Sequence, residues 1–397
     1  CSMGATPWQT YLTCEEHFNG VFNGLPQPSA AQKRYGLLPK GGGFRWHEYD
    51  TRFDVATEPN ESNRFGWVVE IDPWRPEQAP IKRTALGRFK HESATVTRSR
   101  DGHVVVYMGD DEAFEHIYKF VSAEVYDAKQ PHADLLDRGT LYVARFNQDG
   151  SGKWVALVHG QNGLSAEHDF ADQAAVLVHT RLAATHVGAT RMDRPEWIAV
   201  HPQNGEVYCS LTNNVKRKPE ETDNANPNGP NPFGHIIRWR ERNDDAASEQ
   251  FDWNIYTQAG ITSKTQDTFA CPDGLWFDRD GRLWIQTDVS AKELNKGVYE
   301  RAGNNQMLVA DPVSGEIKRF LTGPRNCELT GITQTPDGRT LFVNIQHPGE
   351  PGSDHSDPAL AMAISTWPGN QFVHQPLGRP RSATLAIRRY DGGIIGT

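Results

Sequence analysis

Cysteine is scarce in this chain of 397 residues, which has five cysteines, an odd number, and no pair with CxxC spacing. This scarcity argues against a disulfide framework and against a zinc ribbon. Long apolar runs are missing too, since no stretch approaches the roughly 20 apolar residues that span a bilayer. Basic residues do not exceed acidic ones, and the formal net charge of -9 argues against a nucleic-acid or anionic-membrane partner.

Helical periodicity is also rare, whereas short runs of β-branched and aromatic residues recur and close in Asp-Gly or Asn-Gly turns. Four hairpins have the same arrangement: HESATVTRSRDGHVVVYMGDD (91–111), RPEWIAVHPQNGEVYCSLTNN (194–214), CPDGLWFDRDGRLWIQTD (271–288) and CELTGITQTPDGRTLFVNIQ (327–346). Such units at unequal spacing are typical of the blades of a β-propeller. We predict an all-β chain that forms a single β-propeller domain over residues 1–397.

The segments between the hairpins complete this prediction. Outer strands are expected at FGWVVEIDP (65–73), GHIIRWRE (234–241) and NQMLVADP (305–312). Polar segments rich in Pro and Gly, at 217–233 and 347–358, are expected to form loops on one face, together with small helical insertions.

Each hairpin carries acidic or polar residues at both of its outer ends. A carboxylate stands 8 to 10 residues before the turn glycine, in the order Glu92, Glu196, Asp273 and Glu328. The returning strands end near Asp110, Asn213, Asp288 and, less clearly, Gln346. Because a hairpin brings its outer ends to one edge, these side chains are expected to converge near the propeller axis. A degenerate fifth unit would place Cys1 in the first position and Glu15 or Glu16 in the second.

Crowded carboxylates repel one another in a partly buried site unless cations neutralise them, so the repetition predicts bound metal. Oxygen ligands suit Ca²⁺, Mg²⁺ or ferric iron, and a thiolate among them indicates a transition metal. Arg194 precedes Glu196 by two residues, so that both side chains leave an extended strand on the same side. A guanidinium there could bind a phosphoryl group. The alternative is that the acids cap strand ends and Arg194 only pairs with Glu196.

Several longer motifs add a family resemblance that runs over essentially the whole chain. They are CSMGATPWQTYLTCEE, LGRFKHESATV, YMGDDEAFEHIYKF, TRMDRPEW, NPFGHIIRW, PDGLWFD with LWIQTD, CELTGITQTPDGRTLFVNIQHPGE and PRSATLAIRR. In these residues the sequence resembles the PhoX family of alkaline phosphatases. The resemblance implies a six-bladed propeller, a cofactor of two ferric ions and calcium ions, and hydrolysis of phosphate monoesters. It also implies twin-arginine export to the periplasm or the medium.

The resemblance extends to individual residues. Glu92 of RFKHE, Glu196 of RPEW and Asp288 of QTD match metal ligands of the family, and Arg194 matches its phosphate-binding arginine. The iron-bound cysteine is Cys1 or Cys14, and the repeat register favours Cys1. The family has further chain upstream, and the segments SMGATPWQT and KHESA depart from its usual SGG-like and KHEGA forms.

The acidic hairpin ends predict a metal-dependent enzyme, and the resemblance implies a phosphoesterase with Fe³⁺ and Ca²⁺ as cofactors, acting on small phosphoesters. We expect a monomer. The expected metal ligands are Cys1, Glu15, Glu92, Glu196, Asp273, Asp288 and Glu328, with Arg194 as the catalytic and substrate-binding residue. The alternative enzyme is a calcium-dependent propeller lactonase or esterase, which would use the same carboxylates without iron or Arg194. A third possibility is a non-catalytic propeller that metal stabilises and that binds partners.

Overall fold

The computed structural model describes residues 1–130, 134–260, 268–352, 357–371 and 377–396. Strands dominate these residues, and the α-helices are short: α1 (Ala30–Arg34), α2 (Gln173–Val178) and α3 (Thr180–His186). The strands are β1 (Met3–Ala5), β2 (Tyr11–Cys14), β3 (Val68–Ile71), β4 (Ile81–Lys82), β5 (Thr95–Arg98), β6 (His103–Gly109), β7 (Ile117–Val125), β8 (Gly139–Phe146), β9 (Ser151–Ala156), β10 (Pro195–Val200), β11 (Val207–Leu211), β12 (His235–Glu241), β13 (Gln250–Gln258), β14 (Pro272–Phe277), β15 (Leu283–Thr287), β16 (Gln306–Ala310), β17 (Ile317–Thr322), β18 (Glu328–Gln334), β19 (Leu341–Gln346) and β20 (Ala383–Ile387).

The strands assemble into sheets mainly through sequential neighbours. The orders are β1-β2-β3-β4, β10-β11-β12-β13-β9-β8-β7-β6-β5, β14-β15-β16-β17 and β18-β19-β20. Meanders of this kind form when short antiparallel strands follow one another through tight turns. Among the described residues, no helix is both long and apolar enough to cross a bilayer.

The predicted hairpins are present as β5/β6, β10/β11, β14/β15 and β18/β19, each pair being neighbours in a sheet. Their turns depend on glycine, because the backbone enters the left-handed region there. The φ angles are 101° at Gly102, 72° at Gly205, 86° at Gly281 and 72° at Gly338. A side chain at these positions would strain the turn, which explains why Asp-Gly and Asn-Gly recur.

The predicted outer strands match β3, β12 and β16 within a few residues at each end. The segment 217–233 contains no strand, as predicted. The second predicted loop also lacks strands where it is described, and its residues 353–356 lie outside the described part.

The chain divides into two compact units. Unit 1 is Cys1–Ile198, Asp223–Asn226 and Trp239–Trp253, and unit 2 is Ala199–Thr222, Pro227–Arg238 and Asn254–Thr397. In unit 1, alternate residues of β6, Val104, Val106 and Met108, enter one apolar cluster with Phe120, as the two-residue period of a strand requires. In unit 2, Leu341, Val343 and Ile345 of β19 do the same around Trp284. The single-domain assignment from the sequence stays a prediction.

Candidate metal centre

Six side chains of unit 1 form three overlapping groups of possible metal ligands. The groups are Cys1, Glu16 and Glu92; Glu16, His17 and Asp111; and Glu92, Asp111 and Glu196. Within each group the ligand atoms lie within 4.8 Å of one another. The four carboxylate residues are between 4% and 7% exposed, so they are largely removed from water.

The first sheet positions the thiol of this cluster. Strands β1 and β2 pair with Met3 opposite Thr13, so that the residues just before β1 and just after β2 meet at one edge. The Cys1 Sγ donates a hydrogen bond of 3.3 Å to Glu16 Oε2 at this edge. The β1/β2 hairpin therefore brings a thiol next to a carboxylate.

A close approach of β6 and β10 brings the other acids together. Glu92 precedes β5, and its backbone N–H donates to the carbonyl of Gly109 over 3.1 Å. The hydroxyl of Ser93 accepts from the Gly109 N–H and donates to the carbonyl of Glu196, at 3.1 and 3.3 Å. A Cβ at Gly109 would lie 2.4 Å from the Glu196 carbonyl oxygen, so only glycine allows this spacing. Asp111 follows two residues later.

Arg194 forms a forked ion pair at this cluster. Its Nε and Nη2 donate to the two carboxylate oxygens of Asp111 at 2.8 and 2.9 Å. Its Nη2 also lies 3.2 Å from Glu196 Oε1, and the side chain is 34% exposed. The backbone φ of Arg194 is 58°, a left-handed value that costs energy in a residue other than glycine. The guanidinium is thus held by buried acids and still reaches the surface.

The charges of the cluster do not balance. Burial tends to raise the pKa of Asp111, but the charge and hydrogen bonds of Arg194 hold that pKa below its ordinary value. His17 Nε2 lies 2.9 Å from Glu16 Oε1, and the interaction with this carboxylate raises the pKa of His17 despite partial burial. One guanidinium, one imidazole and the amino group of Cys1, 3.3 Å from Glu92 Oε1, face four buried carboxylates. Because desolvated like charges repel strongly, the cluster fits bound cations.

Further contacts fix the chain segments that carry the cluster. Arg181 of α3 and Asp110 form a fully buried ion pair, in which Nε donates to Oδ2 over 2.8 Å. The backbone N–H of Lys90 donates to the same carboxylate over 3.2 Å. The indole N–H of Trp197 donates to Glu92 Oε1 over 3.2 Å. These bonds fix the strand ends on which Glu92 and its acidic neighbours lie.

Two residues that the sequence offered as candidate ligands, Glu15 and Cys14, lie outside the ligand groups. The carboxylate of Glu15 accepts from the N–H groups of Gly66 and Trp67, both at 3.0 Å, and from Lys82 Nζ at 2.7 Å. It lies in none of the three ligand groups, whereas Glu16 lies in two of them. Cys14 is likewise in none of the groups, and burial, reinforced by the charge of Glu92, raises the pKa of its thiol well above the ordinary value.

The remaining predicted ligands belong to unit 2. Pro272 pairs with Thr287, so Asp273 and Asp288 lie at the open end of the β14/β15 hairpin. Glu328 pairs with Gln346 across β18 and β19, and Gln346 Nε2 donates to the Glu328 carboxylate over 2.7 Å. Within each of these two hairpins, the two outer ends therefore lie side by side, and the predicted convergence of different hairpins stays a prediction. A ligand role for these three acids stays a prediction.

Two cluster residues were missed by sequence reasoning. The register pointed to Asp110, but Asp110 pairs with Arg181, and the neighbouring Asp111 joins the ligand groups. The side chains of consecutive residues in an extended chain point to opposite sides. The Asp-Asp pair could therefore have indicated that either Asp110 or Asp111, but not both, faces the cluster. The other missed residue is His17, which directly follows the Cys-Glu-Glu run. The repeat register of the hairpins assigns no ligand position to it.

A buried acidic centre with a thiol and a surface-reaching guanidinium, carried by hairpins of a mostly β chain, fits a metal-dependent enzyme. The family model for alkaline phosphatase PhoX matches residues 1–349. The whole chain is similar to PhoX of Pseudomonas fluorescens, solved in complex with vanadate, a transition state analogue. The two are 50% identical with a TM-score of 0.91, and the match covers 100% of this chain and 70% of that chain.

The chain therefore belongs to the PhoX family of alkaline phosphatases and has its β-propeller fold. The resemblance expected from the sequence is confirmed, and the protein is a metal-dependent phosphatase. A gluconolactonase of Xanthomonas campestris is 14% identical, with a TM-score of 0.31 over 70% of this chain and 62% of that chain. A similarity this weak says nothing about function. None of the curated proteins matches the chain.

Proposed function

We propose that this phosphatase hydrolyses phosphate monoesters and releases inorganic phosphate at an iron-calcium centre in the acidic cluster. The observation that carries the proposal is the Arg194 fork, which is held by Asp111 beside three further buried carboxylates. A planar guanidinium matches two oxygens of a phosphoryl group, and its 34% exposure leaves it accessible to a substrate. A purely structural ion pair would not require the unfavourable backbone of Arg194.

The donor atoms of the cluster fit the proposed metals. Carboxylate oxygens are hard ligands suited to Ca²⁺ and Fe³⁺, and a thiolate adds preference for a transition metal such as iron. In unit 1 we propose Cys1, Glu16, Glu92, Asp111 and Glu196 as ligands, with Glu16 in the place that the sequence gave to Glu15. Asp273, Asp288 and Glu328 remain proposed ligands on the strength of their hairpin positions.

The chain's own residues would bind and orient the substrate. When bound, the cations supply Lewis-acid stabilisation of the charge on the transferring group. Asp111 would orient the guanidinium through its hydrogen bonds with Nε and Nη2, and the other edge of the guanidinium would hold two non-bridging oxygens of that group. Phosphoryl transfer depends mainly on such positioning and charge stabilisation, so no nucleophile from the protein is required.

The lactonase alternative explains less of this geometry. A calcium-dependent lactonase needs the carboxylates but has no role for a forked guanidinium at their edge. Vanadate mimics the transition state of phosphoryl transfer, and its binding to the Pseudomonas fluorescens relative supports the same reaction class for this chain. We also propose that the protein is a single-domain monomer, periplasmic or secreted, with phosphoesters and phosphate rather than nucleic acid as its partners.

Turnover of generic substrates tests this function. The purified protein is expected to release phosphate from para-nitrophenyl phosphate and to leave a simple γ- or δ-lactone unchanged. Inorganic phosphate is expected to inhibit competitively, because it would occupy the same fork on Arg194. Ring opening of the lactone without phosphate release would instead support the alternative enzyme, and turnover of neither substrate would support a binding protein.

A further inference from the structure

Unit 1 also contains a polar pocket, and no residue of the acidic cluster lines it. It has a volume of about 280 Å³, and its lining includes Ser29, Gln32, Tyr35, Asn63, Arg88 and His179. Three insertions between the strands meet there: helix α1 with its preceding turn, the turn at 59–63, and the junction of α2 with α3. The exposed residues Ser29 and Asn60 at its edge give access from the solvent.

The pocket contains a buried cation. Arg88 is 1% exposed, and its guanidinium donates to the carbonyls of Phe65 at 2.8 Å, Ser62 at 2.9 Å and Val178 at 3.4 Å. The ring of Tyr35 covers it at 4.0 Å. Within the part of the chain that the structure describes, the Arg88 guanidinium forms no ion pair with a carboxylate. The ring of Phe18 lies 5.2 Å away on the same guanidinium. A buried charge whose direct contacts are carbonyl dipoles and aromatic rings is costly unless a counterion joins it.

The neighbouring acidic residue does not supply that counterion. Glu61 lies in the same turn, but its carboxylate faces Arg52 at 3.6 Å and Arg64 at 3.3 Å. Burial lowers the pKa of Arg88 to about 10, so the guanidinium keeps its charge at neutral pH. Glu15 also attracts the Arg88 guanidinium, but its carboxylate is paired with Lys82 Nζ at 2.7 Å. The pocket therefore keeps a net positive charge.

His179 belongs to the lining of the same pocket and offers a second donor. The Nδ1 of His179 is buried and has no hydrogen-bond partner among the described residues. Burial, together with the charge of Arg88, lowers the pKa of His179, so its ring is neutral and can donate one N–H. Asn63, whose side chain carries an amide, also lines the pocket. A charged fork, an imidazole N–H and an amide are the donors that a small oxyanion accepts from.

We propose that this pocket binds a small tetrahedral oxyanion, of the phosphate or sulfate class, between the Arg88 guanidinium and the His179 imidazole. The anion would neutralise Arg88 and join the three insertions. The pocket lining includes no residue of the acidic cluster, so the anion would stabilise the insertions without contacting that cluster. The proposal does not depend on the reaction proposed for the cluster.

Selenate locates the anion directly, because it is tetrahedral and scatters anomalously. Crystals of the full chain soaked in selenate are expected to show a selenium peak within hydrogen-bond distance of the Arg88 guanidinium and His179 Nδ1. A matched soak in phosphate should place density at the same point if product phosphate binds there as well. Selenium peaks confined to Arg194, or no peak at the pocket, would overturn the proposal.

Thermal unfolding tests the same site in solution. Sulfate is expected to raise the Tm of the wild-type protein by about 2–4 °C over sodium chloride of equal ionic strength, since ligand binding to the folded state stabilises it. His179→Phe should lose this increment and keep phosphatase activity, whereas His159→Phe, at an exposed position, should keep both. Asn63→Leu fills the pocket without removing Arg88 and serves if His179→Phe does not fold. An undiminished sulfate increment in the folded pocket variant would contradict the proposal.

Discussion

Replacing Arg194 by alanine is expected to lower kcat/KM for a phosphate monoester about 100- to 1000-fold, the usual loss when a charge-stabilising donor is removed. The physical reason is the loss of the fork that Asp111 orients at 2.8 and 2.9 Å. KM should rise, competitive inhibition by phosphate should weaken, and kcat should fall as well. Arg194→Lys should restore only part of the activity, because a point charge lacks two-pronged geometry. Steady-state kinetics on the three proteins measure this.

Two comparisons distinguish substrate binding from a structural ion pair. Glu196→Gln is expected to reduce bound metal, whereas Arg194→Ala should leave metal content intact. Arg191→Ala, an exposed arginine three residues upstream, provides a control with normal kinetics. If both Arg194→Ala and Glu196→Gln show only small stability losses and near-normal kinetics, Arg194 has no place in the site.

The second large effect concerns the thiol. Cys1→Ser is expected to lose about nine-tenths of the iron and most of the phosphatase activity. The reason is that a hydroxyl is a much weaker iron ligand than a thiolate. Cys1 Sγ lies 3.3 Å from Glu16 Oε2 within the cluster. Iron content by elemental analysis, measured beside activity, checks this expectation.

Two other cysteines serve as controls for this change. Cys209→Ser should leave iron unchanged, because Cys209 is buried in β11 and belongs to none of the ligand groups of the described residues. Loss of iron from Cys14→Ser with a harmless Cys1→Ser would transfer the thiolate role to Cys14. That result would leave the class of cofactor unchanged.

Much of the architecture could be predicted because it is local. The Asp-Gly and Asn-Gly turns need a left-handed glycine, seen at Gly102 and Gly281, and the flanking β-branched runs supply strands. The repeated register then pointed to Glu92 and Glu196, which the structure brings into one group with Asp111. These inferences need only the local sequence of each hairpin and the repetition of that pattern along the chain.

The choice between neighbouring acids could not be predicted, because distant residues decide it. Glu15 is drawn away from the cluster by Lys82 and by backbone N–H groups more than 50 residues along the chain. Asp110 is drawn toward Arg181, 71 residues away, and this leaves Asp111 to the cluster. Ion pairs between segments so far apart leave no periodic trace in the sequence.

Metal content measured beside activity tests the central claim most directly. The purified, active protein is expected to contain iron and calcium. Chelation should abolish phosphatase activity and lower the Tm, since the buried carboxylates would lose their cations. Adding iron and calcium back should restore both. A fully active preparation that contains only zinc, or no metal, would contradict the account.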